Sequence, residues 1–87
     1  MHALLGELRS GAAPAVCGID AEWVGARPVS LLQLAIPTRC VLLRLHRLSA
    51  MPPALLSLLA DPHVIKIGVG VANDLRLLEG HYGLASA

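Results

Sequence analysis

The sequence has little charge, few aromatic residues and few cysteines, and each shortage excludes a class of protein. Only 15% of its 87 residues are charged, phenylalanine is absent, and the aromatic residues are one tryptophan and one tyrosine. Two cysteines, Cys17 and Cys40, are too few for a disulfide-stapled secreted domain and too far apart for a zinc site or a CxxC redox pair. A net charge of +1 gives no broadly basic surface, so a nucleic-acid ligand would need a local site.

Long uncharged runs are also missing. A membrane-spanning helix needs about 18–20 apolar residues, and every candidate segment is broken by one of the charged residues Arg39, Arg44, Arg47, Asp61 and Lys66. Glu7 and Arg9 interrupt the N-terminal segment where a signal peptide would have its apolar core. We therefore expect no membrane association and an intracellular, reducing compartment in which both thiols are free, although no sequence feature identifies that compartment.

Apolar residues, by contrast, are abundant. They make up 55% of the chain, against about 45–50% in typical globular domains. A domain of this length buries only roughly 60% of its unfolded surface, so the composition resembles the interior of something larger. We expect residues 1–15 to form an N-terminal helix and a loop, and residues 16–87 to form part of a larger domain.

The order of apolar segments predicts an α/β fold. Three apolar runs joined by short turns predict an antiparallel meander of strands at 16–24, 29–36 and 40–45. Leucines at helical spacing then predict a helix over 49–60, with Pro52-Pro53 in its first turn and Asp61-Pro62 at its stop. A fourth strand at 64–69 and a helix from 71 to 80 follow. A meander followed by βα units predicts a mixed sheet with helices packed on it.

Three acidic residues are the candidates for chemistry. Asp20 and Glu22 lie two apart on the first predicted strand, so both carboxylates project from one face of the sheet. Two adjacent acids repel each other, and Mg²⁺ or Mn²⁺, which prefers oxygen ligands, would offset that cost. The alternative is an edge strand whose acids face water. Asp74 near the start of the last helix could join them, or it could be a helix cap.

Several motifs resemble the DEDD-type 3′-5′ exonucleases, most closely the Werner-type and exonuclease 3′-5′ domain-containing branch. The resemblance covers about 16–84, and its fold is ribonuclease H-like. It rests on three segments that occur in the right order: Gly18-Ile-Asp-Ala-Glu-Trp23, Val29-Ser-Leu-Leu-Gln-Leu-Ala35, and Lys66-Ile-Gly-Val-Gly-Val-Ala-Asn-Asp74 followed by Leu75-Arg-Leu-Leu78.

The resemblance implies a nuclease site. Asp20 and Glu22 would form its first motif and Asp74 its second, together binding two divalent ions, Mg²⁺ or Mn²⁺. The reaction would release nucleoside monophosphates from the 3′ end of DNA or RNA. Such enzymes have a third motif, with a fourth Asp and a Tyr or His that positions the attacking water. The chain contains no such motif and no general base, so we expect it to be incomplete or inactive alone.

Other polar and aromatic residues are weaker candidates for substrate binding. Trp23 could stack on a base or pack in the core, Gln33 could brace the acid-bearing strand, and Lys66 could approach a phosphate or point to solvent. His81-Tyr82 follow the Asp74 helix too closely to be the third motif, and we expect them to be turn residues that pack against the helix end.

Two other functions remain open, and the fourth strand carries a further expectation. The nuclease fold could be a non-catalytic remnant that binds nucleic acid or a protein partner. Gly68-Val-Gly70 between a strand and a helix could also be the phosphate loop of a dinucleotide-binding half-domain, although Asn73 replaces its third glycine. In the fold that the chain resembles, the sheet order is three-two-one-four-five. Because this sequence has no fifth strand, we expect residues 64–69 to form an exposed edge. We expect self-association there.

Overall fold

The computed structural model describes residues 1–11 and 15–87, and it shows four strands and four helical segments. Most of the predicted N-terminal loop lies outside the described residues. The elements in chain order are α1 (His2–Ser10), β1 (Ala15–Glu22), β2 (Leu31–Ile36), β3 (Arg39–Arg44), the 3-10 turn α2 (Leu45–Arg47), α3 (Pro53–Ala60), β4 (Val64–Ile67) and α4 (Val71–Tyr82). The predicted α/β class is confirmed, and α2 is the one segment that the sequence pattern did not predict.

The four strands form one mixed sheet in the order β3-β2-β1-β4. β1 pairs antiparallel with β2, with Asp20 opposite Gln33 and Glu22 opposite Leu31. β4 pairs parallel with β1, with Gly18 opposite Ile67. The meander and the added parallel strand are those that the sequence predicts, because short turns can join only antiparallel neighbours and a parallel strand needs the crossover that α3 provides.

The helices cover one face of the sheet, which we call the inner face. Its core contains side chains from β1 and β2 together with leucines from α1, α3 and α4: Leu4, Leu5, Leu8, Cys17, Ile19, Ala21, Leu32, Leu34, Leu55, Leu58, Leu59 and Leu78. The N-terminal helix therefore shares the core of the domain rather than forming a separate piece. The other face, the outer face, leaves Gln33, Leu42, Ile65 and Ile67 exposed.

Two strands end earlier than predicted. β1 ends at Glu22, so Trp23 and Val24 belong to the following turn, and β4 ends at Ile67 rather than at residue 69. Directly after β4, the backbone of Gly68 approaches β1 so closely that a Cβ there would lie 2.3 Å from the carbonyl oxygen of Ile19. Only glycine permits that approach.

The sheet has two edges with different protection. At the β3 edge, Glu7 of α1 accepts hydrogen bonds from Thr38 at 3.1 Å and Arg39 at 2.8 Å. At the β4 edge, Ile65 and Ile67 are about half exposed (47% and 51%) and Val69 is 99% exposed. Cys17 faces the core and Cys40 the outer face, with β2 between their strands, and both are free thiols as predicted. No helix in 1–11 or 15–87 is long and apolar enough to span a bilayer.

Candidate functional site

Asp74 is attached to the strand that carries the other two acids. β4 stops opposite Gly18, so the backbone N–H of Ala21, which points to that side of β1, has no strand partner. The Asp74 carboxylate takes the place of that partner, and its Oδ2 accepts a hydrogen bond from the Ala21 N–H at 3.3 Å. The contact brings α4 and the end of β1 together, as the nuclease interpretation requires.

The capping alternative for Asp74 is wrong. The N-cap of α4 is Gly70, which has the left-handed conformation (φ 70°) and no side-chain cap. Asp74 is the fourth helical residue, and its side chain accepts a hydrogen bond from Ala21 of β1 rather than from its own helix. Asn73 is engaged separately, because its side-chain oxygen accepts a hydrogen bond from Arg76.

Asp20 lies close enough to Asp74 for the two charges to interact. Burial raises the pKa of the Asp74 carboxyl, the hydrogen bond from Ala21 lowers it in part, and the negative charge of Asp20 raises it again. Asp74 is only 5% exposed, whereas Asp20 is exposed on the outer face. The structure thus places one desolvated acid beside one solvated acid.

Glu22 is on the same strand face as Asp20, two residues further along at the end of β1. Its side chain is exposed at the end of β1, beside Trp23. Among the residues that the structure describes, no three acidic, histidine or cysteine side chains are grouped closely enough to hold a metal ion. The structure thus brings the charges of Asp20 and Asp74 within interaction range and, in the described residues, does not group the three predicted carboxylates as a metal site.

An open pocket of about 430 Å³ lies on the outer face beside Asp20. Its floor is mostly apolar, and Asp20 and Gln33 supply polar side chains at its lining: Gly18, Ile19, Asp20, Gln33, Ala35, Ile67, Gly68 and Val69. This volume is within the range of small-ligand sites, which combine apolar walls with a few polar groups.

The three weaker candidates have different surroundings. Gln33 is directly opposite Asp20, although its amide donates to the Cys40 sulfur at 3.3 Å. Lys66 is on the inner face in register with Cys17, and its ammonium donates to the carbonyls of Asp61 and Ala87, both at 2.7 Å. It is therefore neither solvent-directed nor directed towards Asp20. Trp23 is 39% exposed, so the expectation that it packs in the core is wrong.

His81 and Tyr82 have a role that the sequence did not reveal. They are the last residues of α4, not turn residues. The His81 Nδ1 accepts a hydrogen bond from the Val29 N–H at 3.2 Å, and the Tyr82 hydroxyl donates to the Val29 carbonyl. Val29 is completely buried, so these bonds fix the turn between β1 and β2. A His-Tyr pair at a helix end is the only sequence signal, and it does not identify the partner.

The donor set of this region suits a hard divalent cation. Asp20 and Asp74 offer carboxylate oxygens, which Mg²⁺ and Mn²⁺ prefer. Their mutual repulsion and the burial of Asp74 are costs that a bound cation would offset. Two carboxylates fit such an ion as partial ligands, and Glu22 on the same strand face is the nearest acid in sequence that could complete the set.

The elevated pKa of Asp74 predicts how its amide variant responds to pH. When the pKa of a carboxyl is higher in the folded chain than in the unfolded chain, the folded chain loses stability as pH rises from the lower pKa to the higher one. Asp74→Asn cannot ionise, and its side-chain oxygen can still accept from Ala21. In EDTA, we expect this variant to be more stable than the wild-type chain near pH 7. The difference should disappear below about pH 3, where the aspartate is protonated in both states.

Urea unfolding of both chains between about pH 3 and pH 7 measures this difference. Glu79→Gln, which changes an exposed acid on the same helix, is the control and should follow the wild-type curve. A wild-type chain that gains stability relative to Asp74→Asn as pH rises would contradict the assignment of a buried, repelled carboxylate.

Comparison with known proteins shows strong similarity to one group. No family model matches the chain. It is 46% identical over 78 residues to human exonuclease 3′-5′ domain-containing protein 2, covering 79% of this chain and 13% of that protein. It is 40% identical over 77 residues to the Drosophila melanogaster protein of the same name, covering 83% of this chain and 13% of that protein. The chain thus spans about an eighth of the length of these curated relatives.

Solved structures extend the similarity to nearly the whole chain. The crystal structure of the EXD2 exonuclease domain soaked in Mg and GMP matches with a TM-score of 0.85 and 43% identity, covering 98% of this chain and 46% of that one. The same domain soaked in Mn and dGMP matches with a TM-score of 0.86 and 44% identity, covering 98% and 45%. The chain therefore spans a little under half of the solved domain.

Proposed function

This chain belongs to the 3′-5′ exonuclease domains with a ribonuclease H-like fold, and from this premise we propose that it carries part of a metal-dependent site that removes nucleoside monophosphates from nucleic-acid 3′ ends. Asp20, Glu22 and Asp74 are the residues proposed to hold two divalent ions, Mg²⁺ or Mn²⁺. The observation that carries the proposal is the buried Asp74 carboxylate held on the backbone of β1 beside Asp20.

The placement of Asp74 supports a functional role because it is costly. A buried carboxylate beside another acid lowers stability unless a cation compensates it. A backbone N–H could be satisfied by water or by a neutral side chain, so the fold does not require an acid at this position. Proteins arrange acids in this way where charge is needed for chemistry.

The chain's own residues position the acids for that chemistry. The Ala21 N–H orients the Asp74 carboxylate, and the close approach of Gly68 to Ile19 keeps the end of β4 against β1. Divalent ions in such sites generate a hydroxide nucleophile and stabilise the leaving oxygen. Gln33 and the apolar floor of the adjoining pocket are placed where a terminal nucleotide could lie next to Asp20.

The relatives support the choice of cofactor and substrate. The solved domains were soaked in Mg or Mn with GMP or dGMP, and this chain matches just under half of each. The dinucleotide-binding alternative loses its main argument, because contact with Ile19 already requires glycine at position 68. The non-catalytic alternative differs from the nuclease only in activity.

Two measurements on the purified chain test the proposal. The first is the unfolding temperature with Mn²⁺, with Mg²⁺ and with EDTA, and we expect both ions to raise it. The second is release of nucleotide from 3′-labelled single-stranded DNA in Mn²⁺, with EDTA as the control. Metal stabilisation without nucleotide release would support the non-catalytic alternative. No metal stabilisation and no release would overturn the metal site.

We further propose that two copies of the chain associate through their β4 strands. The edge of a sheet exposes unpaired backbone groups, and the β4 edge adds the exposed side chains of Ile65, Ile67 and the nearby Val69. A second copy fits this edge because antiparallel pairing of two β4 strands would continue the sheet with two-fold symmetry. The opposite edge is less suited, because α1 and the Glu7 contacts lie against β3.

Replacing Ile65 by lysine should prevent this association, because two like charges would meet on neighbouring strands of the extended sheet. We expect the wild-type chain to sediment as a dimer or larger species whose population rises with concentration, and Ile65→Lys to sediment as a monomer. Leu56→Lys is the matched control, because Leu56 is a similarly exposed apolar residue on α3. A monomeric wild-type chain at high concentration, or equal effects of the two variants, would refute the proposal.

A further inference from the structure

Three exposed arginines gather at the end of the sheet where β1 carries its acids. Arg27 is in the turn after β1, Arg44 ends β3, and Arg47 ends α2. We propose that these residues, the arginine end, bind the phosphates of single-stranded nucleic acid that leads to the acid site. The inference rests on the proposed nuclease function, because it assigns the path of that site's substrate.

Backbone pairing fixes the position of Arg44 in this arrangement. Arg44 is opposite Leu31 in the β2–β3 ladder, and Leu31 is opposite Glu22 in the β1–β2 ladder. The side chains of Arg44, Leu31 and Glu22 therefore share the outer face in one row across the sheet. Two strand spacings separate the backbones of Arg44 and Glu22, or about 9–10 Å. An arginine side chain can extend over part of that distance, so a phosphate held by Arg44 would lie near Glu22.

Hydrogen bonds attach α2 and the β1–β2 turn to the same row. The Ser30 N–H donates to the Glu22 carbonyl at 2.9 Å, and the Leu45 N–H donates to the Ser30 carbonyl at 2.8 Å. The turn itself closes with a bond from the Arg27 N–H to the Val24 carbonyl at 3.0 Å. The arginine end is therefore built on fixed backbone close to Glu22, not on a free terminus.

The charges at this end are available for a ligand. Elsewhere Arg9 pairs with Asp61 and Arg39 with Glu7, the two ion pairs within the described residues, while Lys66 donates to carbonyls and Arg76 to Asn73. The segments 22–30 and 44–48 contain three of the chain's seven Lys and Arg residues but one of its six acids. A chain of net charge +1 thus concentrates positive charge at one end of its sheet.

The chemistry of these groups fits a polyanion with bases. Guanidinium groups bind phosphates through paired donors, which makes arginine a common nucleic-acid contact. Trp23 lies at the same end and is 39% exposed, so a base can stack on its ring. The mostly apolar pocket beside Asp20 would then receive the terminal nucleotide of a strand held by this surface.

Binding of a fluorescein-labelled single-stranded DNA oligonucleotide, measured by anisotropy in EDTA across a range of salt, tests the inference. EDTA removes any contribution of divalent ions. We expect Arg44→Ala/Arg47→Ala to weaken binding roughly 10- to 30-fold at about 0.1 M salt and to reduce the log–log salt slope by about 1.4, since each phosphate contact on a single strand contributes about 0.7. Because Trp23 is the only tryptophan, its fluorescence should also be quenched on binding.

The matched control is Arg9→Ala/Arg39→Ala. It also removes two positive charges, one from α1 and one from the opposite end of β3. We expect it to leave the salt slope unchanged. Equal losses in both double variants, or no binding by the wild-type chain, would overturn the arginine end. A chain that binds through these arginines but shows no metal stabilisation would instead refute the metal site alone, so the two proposals fail separately.

Discussion

Replacement of Gly68 by alanine is expected to destabilise the chain strongly and to shift its unfolding to a much lower urea concentration. The new Cβ would lie 2.3 Å from the carbonyl oxygen of Ile19, and both groups belong to backbone that cannot rotate away. β1 cannot move, because it is paired on both sides and its inner face is buried. Such overlap should cost at least about 3 kcal/mol. A domain of this size has roughly 4–13 kcal/mol of stability in total.

Urea unfolding followed by circular dichroism measures this loss, and Gly80→Ala is its control. Gly80 is inside α4, and a Cβ there would meet nothing within 4 Å, so alanine should raise stability by about 0.5–1 kcal/mol through its helix propensity. The same chemical change should therefore act in opposite directions at the two glycines. A Gly68→Ala chain that unfolds at the wild-type urea concentration would show that the strands do not meet as described.

Asp20→Ala is expected to remove the stabilisation by metal without destabilising the metal-free fold. Without metal, the variant should be at least as stable as the wild-type chain, because the charge that repels Asp74 is gone. With Mn²⁺, the wild-type chain should gain about 2.7 kcal/mol at an ion concentration 100 times its Kd. The variant should gain little, since loss of a ligand should weaken metal binding by at least about 100-fold.

Thermal unfolding in Mn²⁺ and in EDTA, together with 3′-nucleotide release, measures both expectations. Glu79→Ala removes an exposed acid from α4 and should respond to Mn²⁺ like the wild-type chain. Equal Mn²⁺ stabilisation of Asp20→Ala and the wild-type chain would exclude Asp20 as a ligand. Any nucleotide release by the wild-type chain should fall to the background of the EDTA control in the variant.

The sequence predicted the order and pairing of elements because that information is local. Apolar runs with short turns between them determine a meander, and leucine spacing determines the helices. The ends of the strands were predicted less accurately because tertiary contacts determine them. β4 stops where Gly68 meets Ile19, and β1 stops where its chain turns towards Val29, and neither contact is visible in a window of neighbouring residues.

The candidate site was predicted in part for the same reason. Asp20 and Glu22 share a strand face by periodicity alone, and the structure places both on the outer face. The Asp74 contact with Ala21 depends on a backbone N–H that is free only because β4 is short. Lys66 shows the converse, since its register with Cys17 places it on the inner face, where carbonyls of Asp61 and Ala87 bind its ammonium.

The hydrogen bonds at the two ends of α4 have a mechanical consequence. Asp74, Leu78, His81 and Tyr82 follow a spacing of four, three and one residues, so they form a single stripe along the helix. Residues of that stripe hydrogen-bond to Ala21 at the end of β1 and to Val29 in the following turn. Helix α4 and residues 21–29 therefore form a closed ring. A twist or slide of α4 would therefore displace the Asp74 carboxylate and the segment bearing Glu22 and Trp23 together, as parts of one rigid frame.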